Sequence, residues 1–224
     1  MKKVPIIACV VFLAICIFLL LPFGKTTAFN ANEYQYDLNY SIELSDFPIM
    51  TQKTDHTCYV VSMAIVRNYL GDKTTESDLL NELGLQSRTT GMLPSEYISC
   101  ANEAFSPLSY KVSLVNPSSQ TQILTIVTDS LENGLPVIIF YSAPDYWHET
   151  DYNTHYGVIY GIDMEGERVL LSNPFGYSEE LSFSELYSGL DFSRYPSEPF
   201  AFQLGRKFGV IQRNNLFIIE KITE

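Results

Sequence analysis

The order of segments predicts an α+β fold, with N-terminal helices packed on an antiparallel sheet. Two observations carry this expectation. From Cys58 to Phe105 the chain reads as helices, each with a start or stop signal. From Tyr110 onward most segments alternate, or run as short stretches rich in Val, Ile, Phe and Tyr, and two of them flank the hairpin turn Met164-Glu-Gly-Glu167. Helices first and antiparallel strands after is the α+β pattern. The chain has 224 residues with one leader and no repeat or low-complexity linker, which suits a single domain.

The leader comes first. Lys2 and Lys3 precede an uncharged apolar run from Val4 to Phe23. At ~1.5 Å per residue such a run reaches about 30 Å, the thickness of a bilayer core, whereas a cleaved signal peptide has an apolar stretch of roughly 7–15 residues. Residues 1–28 are therefore expected to be a signal-anchor. Thr26-Thr27-Ala28 keeps open the alternative of a cleaved signal peptide and a secreted chain. Lys2 and Lys3 hold the N-terminus in the cytoplasm, which puts residues 29–224 outside. Ile6-Ile7-Ala8-Cys9 resembles a lipidation site locally, but the apolar run continues well past Cys9, so Cys9 and Cys16 are read as small apolar residues of a membrane helix.

Residues 29–48 form an extracellular lead-in with a short strand at Tyr40–Leu44, and residues 49–224 form the domain. Its first helix, Cys58–Leu70, reads as amphipathic and closes at Gly71. The second, Glu76–Leu83, has Thr75 as its cap, Asp78 three residues on, and Gly84 as its end. The third starts at Pro94 and runs to about Phe105, with Cys100 as a core residue. Tyr110–Val115 alternates as a strand. Ser119–Asn133 is a helix closed by Gly134, and Pro136–Ser142 is a buried strand. Residues 143–153 are a polar, aromatic loop. Thr154–Asp163 and Arg168–Ser172 are the hairpin strands, Ser184–Ser188 a short helix, 193–214 irregular, and Leu216–Ile222 the last strand.

The external part is acidic. Without Lys2, Lys3 and Lys25 it carries 11 basic residues against 26 acidic ones, a net charge of −15. This argues against nucleic acid as a partner and against an anionic lipid surface. The external cysteines are Cys58 and Cys100, and an oxidising compartment invites two thiols to pair. The place of Cys58 at a helix start favours a free nucleophile instead, because unpaired N–H groups and the helix dipole stabilise a thiolate.

Far downstream lie His155, at the start of a strand, and Asn173, just past the next one; Gln52 lies six residues before Cys58. A thiol at a helix start, with an imidazole and an amide from distant strands, is the equipment of a papain-like cysteine hydrolase. Singly, each residue has a plainer reading: a small buried Cys, a strand His, a turn Asn before Pro, a surface Gln. Their order and context together favour the site.

The motifs resemble a known family. Gln52-Lys-Thr-Asp-His-Thr-Cys58 with Ser62-Met63-Ala64 and Asn68-Tyr69-Leu70-Gly71 resembles the nucleophile motif of the bacteriocin-processing, double-glycine-leader peptidases. Gly134-Leu-Pro136-Val137-Ile138, His155-Tyr-Gly-Val-Ile-Tyr-Gly-Ile-Asp163 and Ser172-Asn173-Pro174-Phe-Gly176 resemble its later segments, and the likeness spans about residues 48–190. It implies a papain-like fold, no cofactor, and a peptide or protein substrate. It also implies that Cys58 attacks the carbonyl, His155 moves the proton, Asn173 orients the ring, and Gln52 with the Cys58 N–H forms the oxyanion hole. Two positions depart from the pattern: Tyr59 stands where the family has Gly or Glu, and Asn173 where it often has Asp.

Tyr59, Tyr146, Trp147 and Tyr152 are expected to line the substrate cleft. His56 and His148 compete for the role of base, with His56 expected to point to solvent. A metal site of His148, Asp151 and His155 rests on composition alone, so no metal is expected. The exporter-fused leader peptidases work in the cytoplasm, and this chain carries no Walker motif and faces outward, so an external peptide or cell-wall amide is the expected substrate. Two alternatives stay open: a cell-wall amidase or endopeptidase, and a binding module that has lost activity.

Overall fold

The computed structural model describes residues 40–143, 153–193, 200–209 and 211–222, with the backbone alone for 200–203. The apolar run at 4–23 and the loop that carries Tyr146, Trp147, His148, Asp151 and Tyr152 lie outside the described residues. Among the described residues no helix is long and apolar enough to cross a membrane.

In chain order the elements are β1 (Ser41–Glu43), α1 (Cys58–Tyr69), α2 (Glu76–Glu82), α3 (Pro94–Phe105), β2 (Tyr110–Val115), α4 (Gln120–Glu132), β3 (Val137–Ala143), β4 (Asn153–Asp163), β5 (Arg168–Asn173), β6 (Tyr177–Ser182), α5 (Phe183–Leu190), α6 (Phe200–Lys207) and β7 (Asn215–Lys221). The strands form one antiparallel sheet in the order β2-β7-β3-β4-β5-β6, and β1 pairs with the far end of β4. The fold is the expected α+β arrangement.

The sheet separates two apolar cores. One joins α1 and α3 to the sheet through Val60, Met63, Tyr97, Phe105, Tyr156, Val158 and Phe217. The other joins α4 and α5 to it through Leu124, Val127, Leu186, Ile159, Leu171 and Leu216. β3 is buried at every residue, which accounts for its unbroken apolar run. β4 crosses the middle of the sheet. Two glycines let β5 lie close to it: a Cβ at Gly157 would press on the Leu171 side chain, and one at Gly161 on Leu170.

Caps fix the helix starts. The Thr75 hydroxyl accepts the Asp78 N–H while the Asp78 carboxylate accepts the Thr75 N–H, the reciprocal capping box anticipated from the sequence. Ser119 caps α4 by accepting the Gln122 N–H.

Three details differ from expectation. α1 is buried nearly all round, from Cys58 to Arg67, rather than on one face. Its one charge in that stretch, Arg67, is tied to Asp72 at 2.6 Å and to Glu82 at 2.8 Å. β6 was not foreseen: it is an edge strand whose Ser178, Glu180 and Ser182 are exposed, so its sequence lacks an apolar signature. The stretch read as irregular contains α6, whose interior Gly205 tolerates the close approach of Ile211 and whose end is marked by Gly209 at φ 70°.

Candidate active site

α1 opens without a side-chain cap. Thr57 makes no capping bond, because its hydroxyl is engaged by Thr54 at 3.1 Å, and the first turn carries no acid. The backbone N–H groups of Tyr156, Tyr59 and Cys58 itself favour the charged form of the Cys58 sulfur. Cys58 and Tyr156, the residue that follows His155, share one core. Cys58 is only 5% exposed. Burial outweighs the N–H donors and pushes the thiol up to about 11. This corrects the expectation that the helix terminus alone would favour the thiolate: desolvation is the larger effect here. Cys58 and Cys100 are both free thiols. Cys100, on α3, is only partly buried and packs against the edge of the core.

His155 and Asn173 meet directly, with His155 Nε2 at 2.9 Å from Asn173 Oδ1, and both residues are buried. The surroundings settle which ring nitrogen carries the hydrogen. The Phe175 N–H, a donor only, lies 2.9 Å from the same Oδ1, and Asn173 Nδ2 donates to the Glu179 carboxylate at 2.7 Å. Both contacts turn the Asn173 oxygen toward the ring, so Nε2 must be the donor and the neutral ring's lone pair sits on Nδ1. Phe175 stacks on the imidazole, with centroids 4.3 Å apart and planes 14° apart, and Tyr141 meets it edge-on at 6.0 Å.

Gln52 is buried rather than on the surface, at 2% exposure. Its Nε2 donates to the Thr54 carbonyl at 2.7 Å, which fixes the amide orientation, and its Oε1 is buried with no partner among the described residues. The Gln52 N–H donates to the Pro174 carbonyl at 2.7 Å, and Thr51 forms a bridge with Phe175. Gly176, at φ 95°, allows this close approach, since a Cβ there would collide with the Thr51 hydroxyl. The loop is also held from the other side, where the Lys53 N–H donates to the buried Glu76 carboxylate at 3.1 Å. The segments that carry Gln52 and Asn173 are thus joined by backbone contacts.

The remaining expectations divide. Tyr59 is fully buried in the core beside α1, at 0% exposure, so it neither lines nor crowds a cleft. His56 is held away from the role of base, with Nδ1 2.8 Å from Asp55 and Nε2 3.0 Å from the Arg88 carbonyl. Among the described residues no group of three His, Cys, Asp or Glu could hold a metal ion. Tyr141, Phe175, Tyr177 and Glu179, which surround the His155–Asn173 pair, were not anticipated. Their spacing carries a signal only once β6 is known to fold back on β5, with Tyr177 opposite Asn173.

Against known proteins, the model of the Peptidase_C39 like family matches residues 44–187. The peptidase domain of Streptococcus ComA, a bifunctional ABC transporter involved in quorum sensing, is 12% identical over 78% of this chain and 98% of that one, with a TM-score of 0.46. A double glycine motif protease from an AMS/PCAT transporter, solved with its leader peptide, is also 12% identical, over 80% of this chain and 94% of that one, at 0.46. The Pseudomonas avirulence protein AvrPphB is 13% identical over 79% and 98%, at 0.31. No curated protein sequence matches the chain.

Proposed function

The chain belongs to the Peptidase_C39 like family, a group of papain-like cysteine peptidases, and we propose that it hydrolyses peptide bonds outside the cytoplasm through Cys58, His155 and Asn173, with Gln52 in the oxyanion hole. The observation that carries this reading is the His155–Asn173 bond at 2.9 Å, with the amide oriented so that Nδ1 is the basic nitrogen.

The chemistry follows from that tautomer. Because burial holds Cys58 near 11, the resting thiol is neutral. The Cys58 sulfur attacks the scissile carbonyl as its proton passes to His155 Nδ1. The imidazolium keeps its Nε2–H on Asn173 and then gives the Nδ1 proton to the leaving amine. Water, activated by the same nitrogen, hydrolyses the thioester and restores the thiol. The oxyanion receives the Gln52 amide N–H that the Thr54 carbonyl does not use, together with the Cys58 backbone N–H. Each such donor is worth about 3 kcal/mol of barrier.

The uncharged run behind Lys2 and Lys3 supports an outward-facing, anchored domain, and the external net charge of −15 argues against a nucleic-acid partner. Protease added to intact cells should remove the domain, and its protection until lysis would reverse the topology.

The test of catalysis is cleavage of a random peptide library by the full-length chain under reducing conditions. Cys58→Ala and His155→Ala should each abolish turnover, and the double variant should be no worse, because members of one catalytic unit are non-additive. Gln52→Ala should lower kcat more than it raises KM. Activity that survives Cys58→Ala would refute the mechanism. A folded chain with no activity would leave the binding-module reading.

A further inference from the structure

We infer that Glu179 is a positioning residue of this peptidase: acting through Asn173, it fixes the His155 tautomer and places a negative charge behind the imidazolium. The inference rests on the Cys58–His155–Asn173 reading proposed above.

The placement follows from the β5–β6 register. Asn173 lies opposite Tyr177, and Leu171 opposite Glu179. Alternation puts Tyr177 and Glu179 on one face of β6, and a side chain as long as Glu reaches its diagonal neighbour across an antiparallel pair. Glu179 Oε2 accordingly meets Asn173 Nδ2 at 2.7 Å, shorter than the 3.4 and 3.3 Å from that nitrogen to the Tyr141 and Tyr177 hydroxyls. Tyr141 also donates to Glu179, at 3.4 Å.

An ionised carboxylate only accepts hydrogen bonds, so it holds the NH₂ end of the amide. Rotating Asn173 by half a turn would set its oxygen against Glu179, and its NH₂ against both the Phe175 N–H and His155 Nε2–H. Glu179 therefore opposes the one rearrangement that would move the basic lone pair of His155 off Nδ1. Its charge lies one amide away from the ring, where it favours the imidazolium formed when Cys58 gives up its proton. Among the described residues, the titratable groups that meet the ring or Asn173 are Tyr141 on β3 and Tyr177 and Glu179 on β6, and Cys58 on α1 is the proposed proton donor.

The experiment compares the full-length wild type with Glu179→Gln, Asn173→Asp, the double variant and Cys58→Ala, using a peptide that the wild type cleaves. Glu179→Gln should lower kcat about tenfold, part of the ~10²–10⁴-fold that positioned proton transfer supplies, with KM unchanged. The acidic limb of its kcat/KM profile, along which His155 loses its proton to act as base, should move to lower pH, because the imidazolium loses a neighbouring negative charge. Asn173→Asp alone should be worse, since it opposes two carboxylates and removes the NH₂ donor. Combined with Glu179→Gln it should recover, because the new amide donates to the new carboxylate. Imidazole ¹⁵N shifts should show His155 with the hydrogen on Nε2 in the wild type and a mixture in Glu179→Gln. A Glu179→Gln enzyme with wild-type kcat, pH profile and ¹⁵N shifts overturns the inference, as does a double variant no better than the product of the singles. Cleavage that persists in Cys58→Ala would instead sink the mechanism on which it rests.

Discussion

If His155 takes the Cys58 proton during attack, then replacing His155 should expose the intrinsic reluctance of a buried thiol to ionise. Burial holds Cys58 near 11. With no base, its thiolate share near pH 7 is about one part in 10⁴, because each pH unit is tenfold. In His155→Gln, iodoacetamide should therefore label Cys58 at a rate that climbs about tenfold per pH unit and levels off only near 11. In the wild type, proton transfer to His155 should make labelling at neutral pH at least about 100-fold faster, the lower end of what a positioned base supplies. Mass spectrometry of the two cysteine peptides reads both rates in one sample. Cys100, partly exposed on α3, is the internal control, and its rate should not change between the two proteins. Equal Cys58 labelling near neutral pH in wild type and His155→Gln would refute the coupling.

Other outcomes follow from the same geometry. The Cys58 value rises on folding from 9.0 to about 11, so its burial contributes stability that is complete below pH 9.0 and lost as pH rises to about 11. Urea titrations at the two ends of that window should show the wild type losing about 3 kcal/mol more than Cys58→Ser. Gly176→Ala forces a side chain into the left-handed region and against the Thr51 hydroxyl, and should cost about 1–3 kcal/mol. Adding Thr51→Ala should recover only the steric share of that loss, and full recovery would show that the backbone is not strained. Thr75→Ala removes one half of the α2 capping box and should lower stability by about 1 kcal/mol without changing KM.

Most of the fold was legible because it is written in local signals. Thr75 with Asp78, Pro94, Ser119, and the unbroken apolar run of β3 each fix an element by chemistry contained in a few residues. Cys58, His155 and Asn173 stood out by residue type and by motif order. Their ionisation did not, because the depth of Cys58 is a property of the packed core and opposes the helix-terminus effect that the sequence does display. Tyr59 looked like a cleft residue only because it adjoins the nucleophile; one residue further along α1 is a rotation of about 100°, enough to turn its side chain into the core. Glu179 was invisible for a different reason. Its meaning depends on a cross-strand diagonal, and edge strand β6 is too polar to announce itself.

The place of β7 bears on how the chain is made. Residues 215–221 leave the ribosome after every other described strand, yet they lie inside the sheet, between β2 and β3. β2 has no other strand partner among the described residues, and Val137 to Phe140 of β3 are paired with β7 along one edge. At synthesis rates of about 5–20 residues per second, β2 waits several seconds for its neighbour. During that wait Val112 and Phe217, which share one core in the finished protein, cannot meet. Translocation across a membrane as synthesis proceeds would thread a chain that has not yet closed its sheet, and the completed sheet would form only on the far side.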